Sequence, residues 1–438
     1  MRVAFWTLAS YVFYAFAGPW FVTLLLASTL VDFVVARRIH GSTDERERRI
    51  LLVLSISFGL GLLAFFKYFG FFVDTVSRTM APLHAMLGVP ALATPSILRI
   101  ALPAGISFYT FMTISYTVDV YRRDLEPEKD FWYFAGFVAL FPHLIAGPVL
   151  RARDILPQLH ALPARHRWRL QEGLFLFAVG LVKKVLIADR IGTHVDLVLE
   201  NFSTASTATV WLAMVGYALQ IYFDFSAYSD MARGLGWLLG LDFVVNFDSP
   251  YRALDPADFW RRWHISLSTW FRDYLYIPVG GNRWGVSRRY RNLMVTMVLG
   301  GLWHGAGWNF ALWGALHGVA LVLYRRFQQS WDRLPVLLRW SCMFMFVVLT
   351  WVPFRLRNLG EIVGCYRLMF SLEGIAWPSP RFLLYLGVGM VLAAVVRRNS
   401  NDLPWSSLRP VTAAALGLLT AYAIFHLNES NRFLYFQF

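Results

Sequence analysis

Residues 299–318 read LGGLWHGAGWNFALWGALHG, and this stretch decides which kind of protein to expect. It contains no Asp, Glu, Lys or Arg, yet it holds two histidines, His304 and His317, and six glycines. An apolar stretch of about 20 residues is long enough to cross the hydrocarbon core of a bilayer. An ionisable side chain is costly at such depth, so an imidazole there marks a pathway or a reaction site by default.

The whole chain has the composition of a membrane protein. Of its 438 residues, 57% are hydrophobic and 16% are charged, whereas about one quarter of the residues of a soluble domain are charged. Its apolar runs are continuous rather than alternating, which favours helices. We therefore predict an all-α polytopic membrane protein with about eleven transmembrane or re-entrant helices. The predicted spans are 5–36 (broken at Gly18-Pro19), 50–73, 100–119, 131–150, 172–190, 208–224, 227–245, 292–324, 336–354, 381–396 and 411–427.

The absence of repeats and of low-complexity linkers predicts a single domain over 1–438. The first span, 5–36, is too long and too aromatic for the apolar part of a cleavable signal, so we expect it to direct insertion itself. The run FPHLIAGP (141–148) has two prolines and a glycine, which predicts a re-entrant segment. The role of His143 within it stays open.

Charge and cysteine content exclude several classes of site. The net charge is +14, but the cations lie in short loops between apolar runs, which is typical of the positive-inside pattern and not of nucleic-acid binding. Cys342 and Cys365 stand in apolar surroundings, so we expect two buried packing thiols. Without a CxxC, HExxH or Walker pattern, we predict no metal site and no bound cofactor.

Residues 255–276, DPADFWRRWHISLSTWFRDYLY, predict an amphipathic helix at the membrane surface. Asp255 is suited to cap it, and Pro256 fits the first helical position. On a helical projection one face holds arginines, including Arg261 and Arg262. The other face is an arc of about 140°, made of Trp260, Trp263, His264, Leu267, Trp270, Phe271, Tyr274 and Leu275.

His264 and His304 each leave two interpretations open. His264 is either hydrogen-bonded to a neighbouring carbonyl or orients a substrate at the mouth of a cavity. His304 either joins two helices by a hydrogen bond or acts as a general base, since an apolar environment favours neutral imidazole. On one continuous helix His304 and His317 would lie about 140° and roughly 20 Å apart. They cannot share a proton or a metal ion there, so we expect His317 to be structural.

The surrounding glycines and two upstream carboxylates complete the candidate site. Gly300, Gly301, Gly305 and Gly307 remove side-chain bulk near His304, which permits close helix approach or leaves room for a ligand chain. In a separate apolar segment, Asp224 and Asp230 need partners, and arginines such as Arg233 are available. We favour a structural role for both aspartates over gating or binding.

Five blocks of this sequence resemble the membrane-bound O-acyltransferase family, in particular its alginate O-acetylation branch, with the teichoic-acid D-alanylation proteins more distant. The resemblance runs through nearly the whole chain and ends at FLYFQF. The blocks are FYTFMTISYTVDVYRRD (108–124), FPHLIAGPVLRARDILPQL (141–159), FDFSAYSDMARGLGWLLG (223–240), DFWRRWHISLSTWFRDYLYIPVGGNR (258–283) and LGGLWHGAGWNFALWGALHG (299–318).

The resemblance implies tilted helices around a funnel, interfacial amphipathic helices, and transfer of an acyl group from a cytosolic thioester. The family's near-invariant histidine falls on His304 and its second histidine on His264. We therefore predict His304 and His264 as catalytic residues, with a catalytic segment over about 292–324. Supporting or substrate-binding positions are predicted at Arg261, Arg262, Trp303, Asn309 and Asp224.

The resulting functional prediction is a multi-pass O-acetyltransferase of the bacterial inner membrane that serves acetylation of an exported polysaccharide such as alginate. Acetyl-CoA or another acyl thioester is the expected donor, and a periplasmic or membrane-anchored acetyltransferase-like protein the expected acceptor partner, alongside membrane lipid. Two alternatives stay open. One is D-alanyl or other acyl transfer to a cell-wall polymer or a lipid by the same fold. The other is a polysaccharide or acyl-carrier transporter, although transporters often show repeats that this chain lacks.

Overall fold

The computed structural model describes residues 1–87, 102–162, 169–371, 374, 376–396, 400, 409–429 and 433–434, without the side chains of 83–85 and 87. In these ranges the regular structure is entirely helical, as predicted. The contacts divide the chain into two compact units, 1–162 and 163–438. Each unit is described by itself, and the single-domain organisation stays a prediction.

The first unit contains eight α-helices in its described part. Helix α3 continues through a π-helical turn, Ala64–Tyr68, into α4. The bounds are α1 Arg2–Ala15, α2 Phe21–Gly41, α3 Glu45–Leu63, α4 Phe69–Leu87, α5 Ile106–Arg122, α6 Phe131–Ala139, α7 Phe141–Leu144 and α8 Ala152–His160.

A buried carboxylate holds three helices of the first unit together. Helices α2, α3 and α5 pack against one another. Asp32 on α2 accepts hydrogen bonds from the Ser55 hydroxyl on α3 and from Thr117 Oγ1 on α5, the latter at 3.4 Å. All three side chains are buried. A buried polar group must be hydrogen-bonded, so this cluster fixes how the three helices meet.

Two predicted breaks in the first unit can be compared with the structure. The break at Gly18-Pro19 is confirmed, because α1 ends at Ala15 and α2 begins at Phe21. The predicted span 131–150 is not one helix. Helix α6 ends at Ala139, Leu140 leaves the helical conformation, and α7 lasts only four residues before irregular backbone. Whether this segment re-enters a membrane stays a prediction.

The second unit is built around one long helix, α11, which packs against α9, α10, α16 and α17. Further π-helical turns are Lys183–Ala188, Arg272–Tyr276 and Val391–Val395. The bounds are α9 Leu170–Val182, α10 Asp189–Glu200, α11 Thr207–Leu239, α12 Pro256–Arg262, α13 Ile265–Phe271, α14 Val286–His304, α15 Trp308–Asp332, α16 Val336–Arg355, α17 Leu359–Phe370, α18 Pro380–Met390 and α19 Pro410–Phe425.

Helix α11 corrects the prediction of two spans, 208–224 and 227–245. It is one helix of 33 residues, capped by the Ser206 side chain and terminated by Gly240 in the left-handed conformation. The helix approaches α9 closely, since a Cβ on Gly173 would lie 2.8 Å from the Gly234 carbonyl oxygen and a Cβ on Gly234 2.7 Å from that of Gly173. Small residues at such a crossing let two backbones pack directly.

Two lysines neutralise the carboxylates of α11, which explains why the polar stretch does not interrupt it. Lys184 Nζ lies 2.7 Å from Asp224 Oδ1 and 2.6 Å from Asp189 Oδ1. Lys183 Nζ lies 2.9 Å from Asp230 Oδ2. The expectation of arginine partners such as Arg233 missed these two lysines, while Arg233 still interacts electrostatically with Asp230. Both lysines begin the π-helical turn after α9, and such turns often mark functional regions.

Three helical stretches in the described ranges are long and apolar enough to cross a membrane: Glu45–Pro82, Thr207–Leu239 and Val336–Arg355. Shorter apolar helices are Pro380–Val395 and Pro410–Phe425. The remaining predicted spans are helical in large part but are shorter, broken or more polar.

The expectation that both cysteines are buried is wrong for one of them, since Cys342 is exposed while Cys365 is buried. An apolar neighbourhood in the sequence of a membrane protein can face outward as well as inward.

We expect Lys184→Met to destabilise the protein, because it leaves Asp224 and Asp189 buried without this cation. Removing one partner of a buried ion pair costs about 3–5 kcal/mol. Thermal unfolding of the purified protein in detergent measures the effect, with Lys184→Arg as the matched control that keeps the charge. Equal midpoints for Lys184→Met and the wild type would show that the pair does not stabilise the fold.

Candidate active site

The predicted catalytic segment is two helices joined at His304. Helix α14 ends at His304, residues 305–307 are extended or irregular, and α15 begins at Trp308. The glycines around the break allow close approach, because a Cβ on Gly305 would lie 2.0 Å from the Phe310 ring. His304 is 6% exposed and sits in the last turn of α14.

The predicted amphipathic helix over 255–276 is also interrupted, and His264 lies at the interruption. Asp255 caps α12 and Pro256 is its first residue, as predicted. Helix α12 ends at Arg262, and α13 begins at Ile265 after His264 adopts φ 44° and ψ 55°. The left-handed region is uncommon for residues other than glycine, although histidine is among those enriched there. This turn directs the imidazole inward, where it is fully buried.

Asn246, which sequence reasoning missed, holds both residues that follow His264. Its backbone oxygen accepts from Ile265 N at 2.9 Å, and its Oδ1 accepts from Ser266 N at 3.3 Å and Ser266 Oγ at 2.9 Å. Its Nδ2 donates to Ser229 Oγ on α11 at 3.2 Å. Asn246 therefore anchors the His264 turn to α11. The only hint in the sequence is an amide within the otherwise apolar run FVVNF (243–247).

The two predicted catalytic histidines lie together, as the sequence predicted. The ring centroids of His264 and His304 are 6.3 Å apart, and the Trp303 ring lies 6.0 Å from the first and 5.1 Å from the second. At this separation the two rings do not form a hydrogen bond to one another. Within the described residues, neither ring nitrogen of His264 has a hydrogen-bond partner.

Burial determines the protonation state of His264. The absence of water around the ring lowers its pKa to about 3, so the imidazole is neutral at neutral pH. A neutral imidazole has one donor nitrogen and one acceptor nitrogen. A buried polar atom without a partner costs about 1–3 kcal/mol. His264 is therefore suited to hydrogen-bond a group that the protein takes up.

Two cavities meet at His304. The first cavity has a volume of about 20 Å³, and the second has a volume of about 110 Å³. His304 and Trp313 line both, with ring centroids 5.2 Å apart. The first cavity is lined by Ile221, Asp224, Phe225, Trp263, His304, Trp313, Trp351, Phe354, Phe433 and Leu434. The second is lined by Trp260, Leu267, Ser268, Phe271, Thr296, Met297, Gly300, His304, Trp313 and Leu321.

Much of the aromatic arc predicted to lie on a membrane is directed into the protein. Trp263, Leu267, Trp270 and Phe271 are buried, while Trp260, Tyr274 and Leu275 are partly buried. The sequence correctly identified the arc as apolar, but most of the arc packs against the rest of the second unit. Helices α12 and α13 supply part of the wall of the second cavity, and Trp263, which lies between them, lines the first.

The predicted supporting residues have different surroundings. Asp224 lines the first cavity, where its Oδ2 accepts from Leu434 N at 2.8 Å. The Asn309 amide donates to the carbonyls of Pro353 and Leu356 at 3.1 and 3.2 Å, which ties the start of α15 to the end of α16. These contacts make Asn309 a structural support of the break after His304.

The arginines of α12 form ion pairs at its surface. Arg262 Nε lies 3.0 Å from Asp258 Oδ1, and Arg261 NH2 lies 3.3 Å from the same oxygen. Their side chains are 31% and 65% exposed. Neither is among the described residues that line the two cavities. Their role in binding a substrate stays a prediction.

His317 packs against Trp313 and is hydrogen-bonded to Thr350. The Thr350 hydroxyl donates to the Val347 carbonyl at 2.8 Å, so His317 Nε2 donates to Thr350 Oγ1 at 3.1 Å. The ring packs 4.9 Å from Trp313. The Nε2 bond ties α15 to α16 and supports a structural role, while Nδ1 has no hydrogen-bond partner among the described residues. Because the helix is broken after His304, the separation estimated for one continuous helix does not apply. The expectation that His317 is structural rests instead on its bond to Thr350.

The described helices include three that are long and apolar enough to span a membrane, and comparison with known proteins identifies the class of this protein. A model described as the membrane-bound O-acyltransferase family matches residues 128–358. The chain belongs to this family and is an O-acyltransferase.

The chain is similar to several named bacterial proteins. The "probable alginate O-acetylase" of Azotobacter vinelandii is 44% identical, over 83% of this chain and 71% of that protein. The "peptidoglycan O-acetyltransferase" of Helicobacter pylori is 33% identical, over 98% of this chain and 90% of that protein. The "teichoic acid D-alanyltransferase" of Bacillus subtilis is 26% identical, over 52% and 60% respectively.

We expect Asn246→Ala to lower kcat for acyl transfer, by as much as about 10²-fold, because small displacements of positioned groups have effects of this size. The KM for the acyl donor should change little, since Asn246 acts through the His264 turn. Steady-state kinetics of the purified variant measure both constants. Ser229→Ala is the matched control, as it removes the Nδ2 contact but leaves those to Ser266. An unchanged kcat in Asn246→Ala would contradict this positioning role.

Proposed function

We propose that this protein transfers an acetyl group from a thioester donor, such as acetyl-CoA, to a hydroxyl acceptor, with His304 as the general base. The observation that carries the proposal is the position of His304 at the junction of two cavities. A donor and an acceptor that enter from the two sides meet at one imidazole. Confining both reactants in this way supplies much of the rate enhancement.

The reaction requires one proton to be moved twice. His304 accepts the proton of the acceptor hydroxyl while the hydroxyl oxygen attacks the carbonyl carbon of the thioester. The tetrahedral intermediate collapses, the C–S bond breaks, and the leaving sulfur takes the proton from the imidazolium. The products are an O-acyl ester and a free thiol. General base catalysis contributes about 10²–10⁴ in rate.

His264 orients the acceptor in this proposal. Its ring is neutral and buried, and its nitrogens have no partner within the described part of the chain. The 6.3 Å between the ring centroids accommodates a hydroxyl oxygen that contacts both rings. Asp224, paired with Lys184, borders the same first cavity as His304. Arg261 and Arg262 remain proposed contacts for the donor phosphates, because guanidinium groups bind phosphate well.

The names of the relatives support the proposed acyl group, acceptor and location. The alginate O-acetylases and the peptidoglycan O-acetyltransferase support acetyl transfer to an exported polysaccharide, with alginate the preferred polymer because of the higher identity. The enzyme then lies in the bacterial inner membrane, where its helices surround a funnel and interfacial helices flank it. A periplasmic or membrane-anchored acetyltransferase-like protein receives the acetyl group on a hydroxyl and passes it to the polymer.

Peptidoglycan acetylation and D-alanyl transfer are the two alternative functions that would use the same acyl-transfer chemistry. The relative named peptidoglycan O-acetyltransferase covers nearly the whole chain, so it favours peptidoglycan as a second acceptor polymer. D-alanyl transfer has weaker support, because that relative covers half of the chain at lower identity. The transporter alternative has no support in a family of acyltransferases.

We expect His304→Ala to abolish acetyl transfer without loss of protein from the membrane, because the general base is removed. Release of thiol from labelled acetyl-CoA, and appearance of the label in the polymer, measure the reaction. His317→Gln is the matched control, since it replaces an equally buried histidine that has a structural hydrogen bond. Retained acetylation in His304→Ala would exclude His304 as the base.

A further inference from the structure

Gly300 and Gly301 are adjacent in α14, but only one of them is in close contact with another helix. A Cβ on Gly301 would lie 2.2 Å from the Phe310 carbonyl oxygen, so Gly301 is required for the close packing of α14 on α15. The three atoms nearest to a Cβ on Gly300 would all belong to the Phe271 ring, at 3.6 to 3.9 Å, which is ordinary van der Waals contact. Helix packing therefore does not require glycine at position 300.

What Gly300 preserves is space, because it forms part of the wall of the second cavity. The cavity begins at His304 and extends between α14 on one side and Leu267 and Phe271 of α13 on the other. An alanine at position 300 would place its methyl group against the Phe271 ring, one helical turn before His304. Gly300 thus controls the width of the cavity close to the proposed base.

The lining of the second cavity suits an apolar occupant. The Thr296 hydroxyl donates to the Asn292 carbonyl at 2.8 Å, and the Ser268 hydroxyl donates to the Trp263 carbonyl at 3.2 Å. Both hydroxyl hydrogens are therefore already used within the protein. Most of the other lining residues are aromatic or aliphatic, and such a surface gains free energy when it contacts apolar groups.

The volume of the cavity sets an upper limit on that occupant. An apolar cavity of about 150 Å³ in another protein holds one benzene molecule. The second cavity, at about 110 Å³, is smaller. It accommodates a chain of a few carbon atoms and excludes a long fatty acyl chain.

We propose that the second cavity is the acyl subsite and that Gly300 sets the length of acyl chain that the enzyme accepts. This rests on the proposed function, since the chain in the cavity belongs to the group that His304 helps to transfer. The carbonyl carbon lies at His304, and the alkyl end points towards Phe271. Gly300 is then a specificity-determining residue, and Phe271 is its partner across the cavity.

The test compares acetyl-, propionyl- and butyryl-CoA as donors for the purified full chain. Gly300→Ala and Gly300→Val should lower the ratio of butyryl to acetyl transfer, since one methylene group in an apolar pocket changes specificity by about tenfold or more. Phe271→Leu in the Gly300→Ala background should restore the ratio in part, because the smaller side chain returns space. Gly387→Ala, at a helical glycine whose Cβ would meet nothing within 4 Å, is the matched control.

A second measurement separates this inference from the proposed function. Thioether analogues of the same acyl-CoA series cannot transfer their chain, and their binding is measured by calorimetry. Gly300→Ala should weaken binding of the butyl analogue more than that of the ethyl analogue. Absence of transfer in the wild type, with this binding preference intact, would overturn only the proposed reaction. Identical chain-length preferences in the wild type and Gly300→Ala, in transfer or in binding, would overturn the acyl subsite.

Discussion

Carboxylates inside an apolar helix must be neutralised, and in the second unit this requirement fixes the position of α11. Asp224 and Asp230 lie on a helix long and apolar enough to span a membrane, and Lys184 and Lys183 meet them from the helix beside it. The reciprocal contact of Gly173 and Gly234 brings the two backbones close enough for the lysines to reach. Charge pairing therefore aligns the two helices along their axes, where apolar packing alone would allow sliding.

The alignment of α11 has direct effects on the candidate site. Asp224 and Phe225 face the first cavity, and Ser229, one turn further along, receives the amide of Asn246. Through Asn246 the same helix supports the His264 turn. The two histidines come from interrupted helices, since His304 ends α14 and His264 precedes α13. A helix end releases a side chain from the regular spacing of its neighbours, which lets two rings from separate segments approach each other.

The sequence predicted the features that depend on residue type and missed those that depend on backbone geometry. Hydropathy predicted an all-helical membrane protein, and the lack of charge around His304 together with the family resemblance identified both histidines. The sequence did not predict the break at His264, because DFWRRWHISLSTWF has a continuous helical periodicity and no glycine or proline at the break. It also assigned the aromatic arc to the membrane surface, since periodicity shows that one face is apolar but not what covers that face. The different roles of Gly300 and Gly301 likewise depend on neighbours from distant segments.

The backbone of His264 adds a consequence for how its variants are interpreted. A left-handed conformation costs a residue with a Cβ about 1–2 kcal/mol, while glycine adopts it freely and asparagine more readily than most. The site therefore stores conformational energy at the residue proposed to orient the acceptor. A glycine or asparagine there would relax the turn, so an inactive variant could be more stable than the active enzyme. The imidazole at position 264 therefore comes with a backbone conformation that glycine or asparagine would adopt at a lower cost.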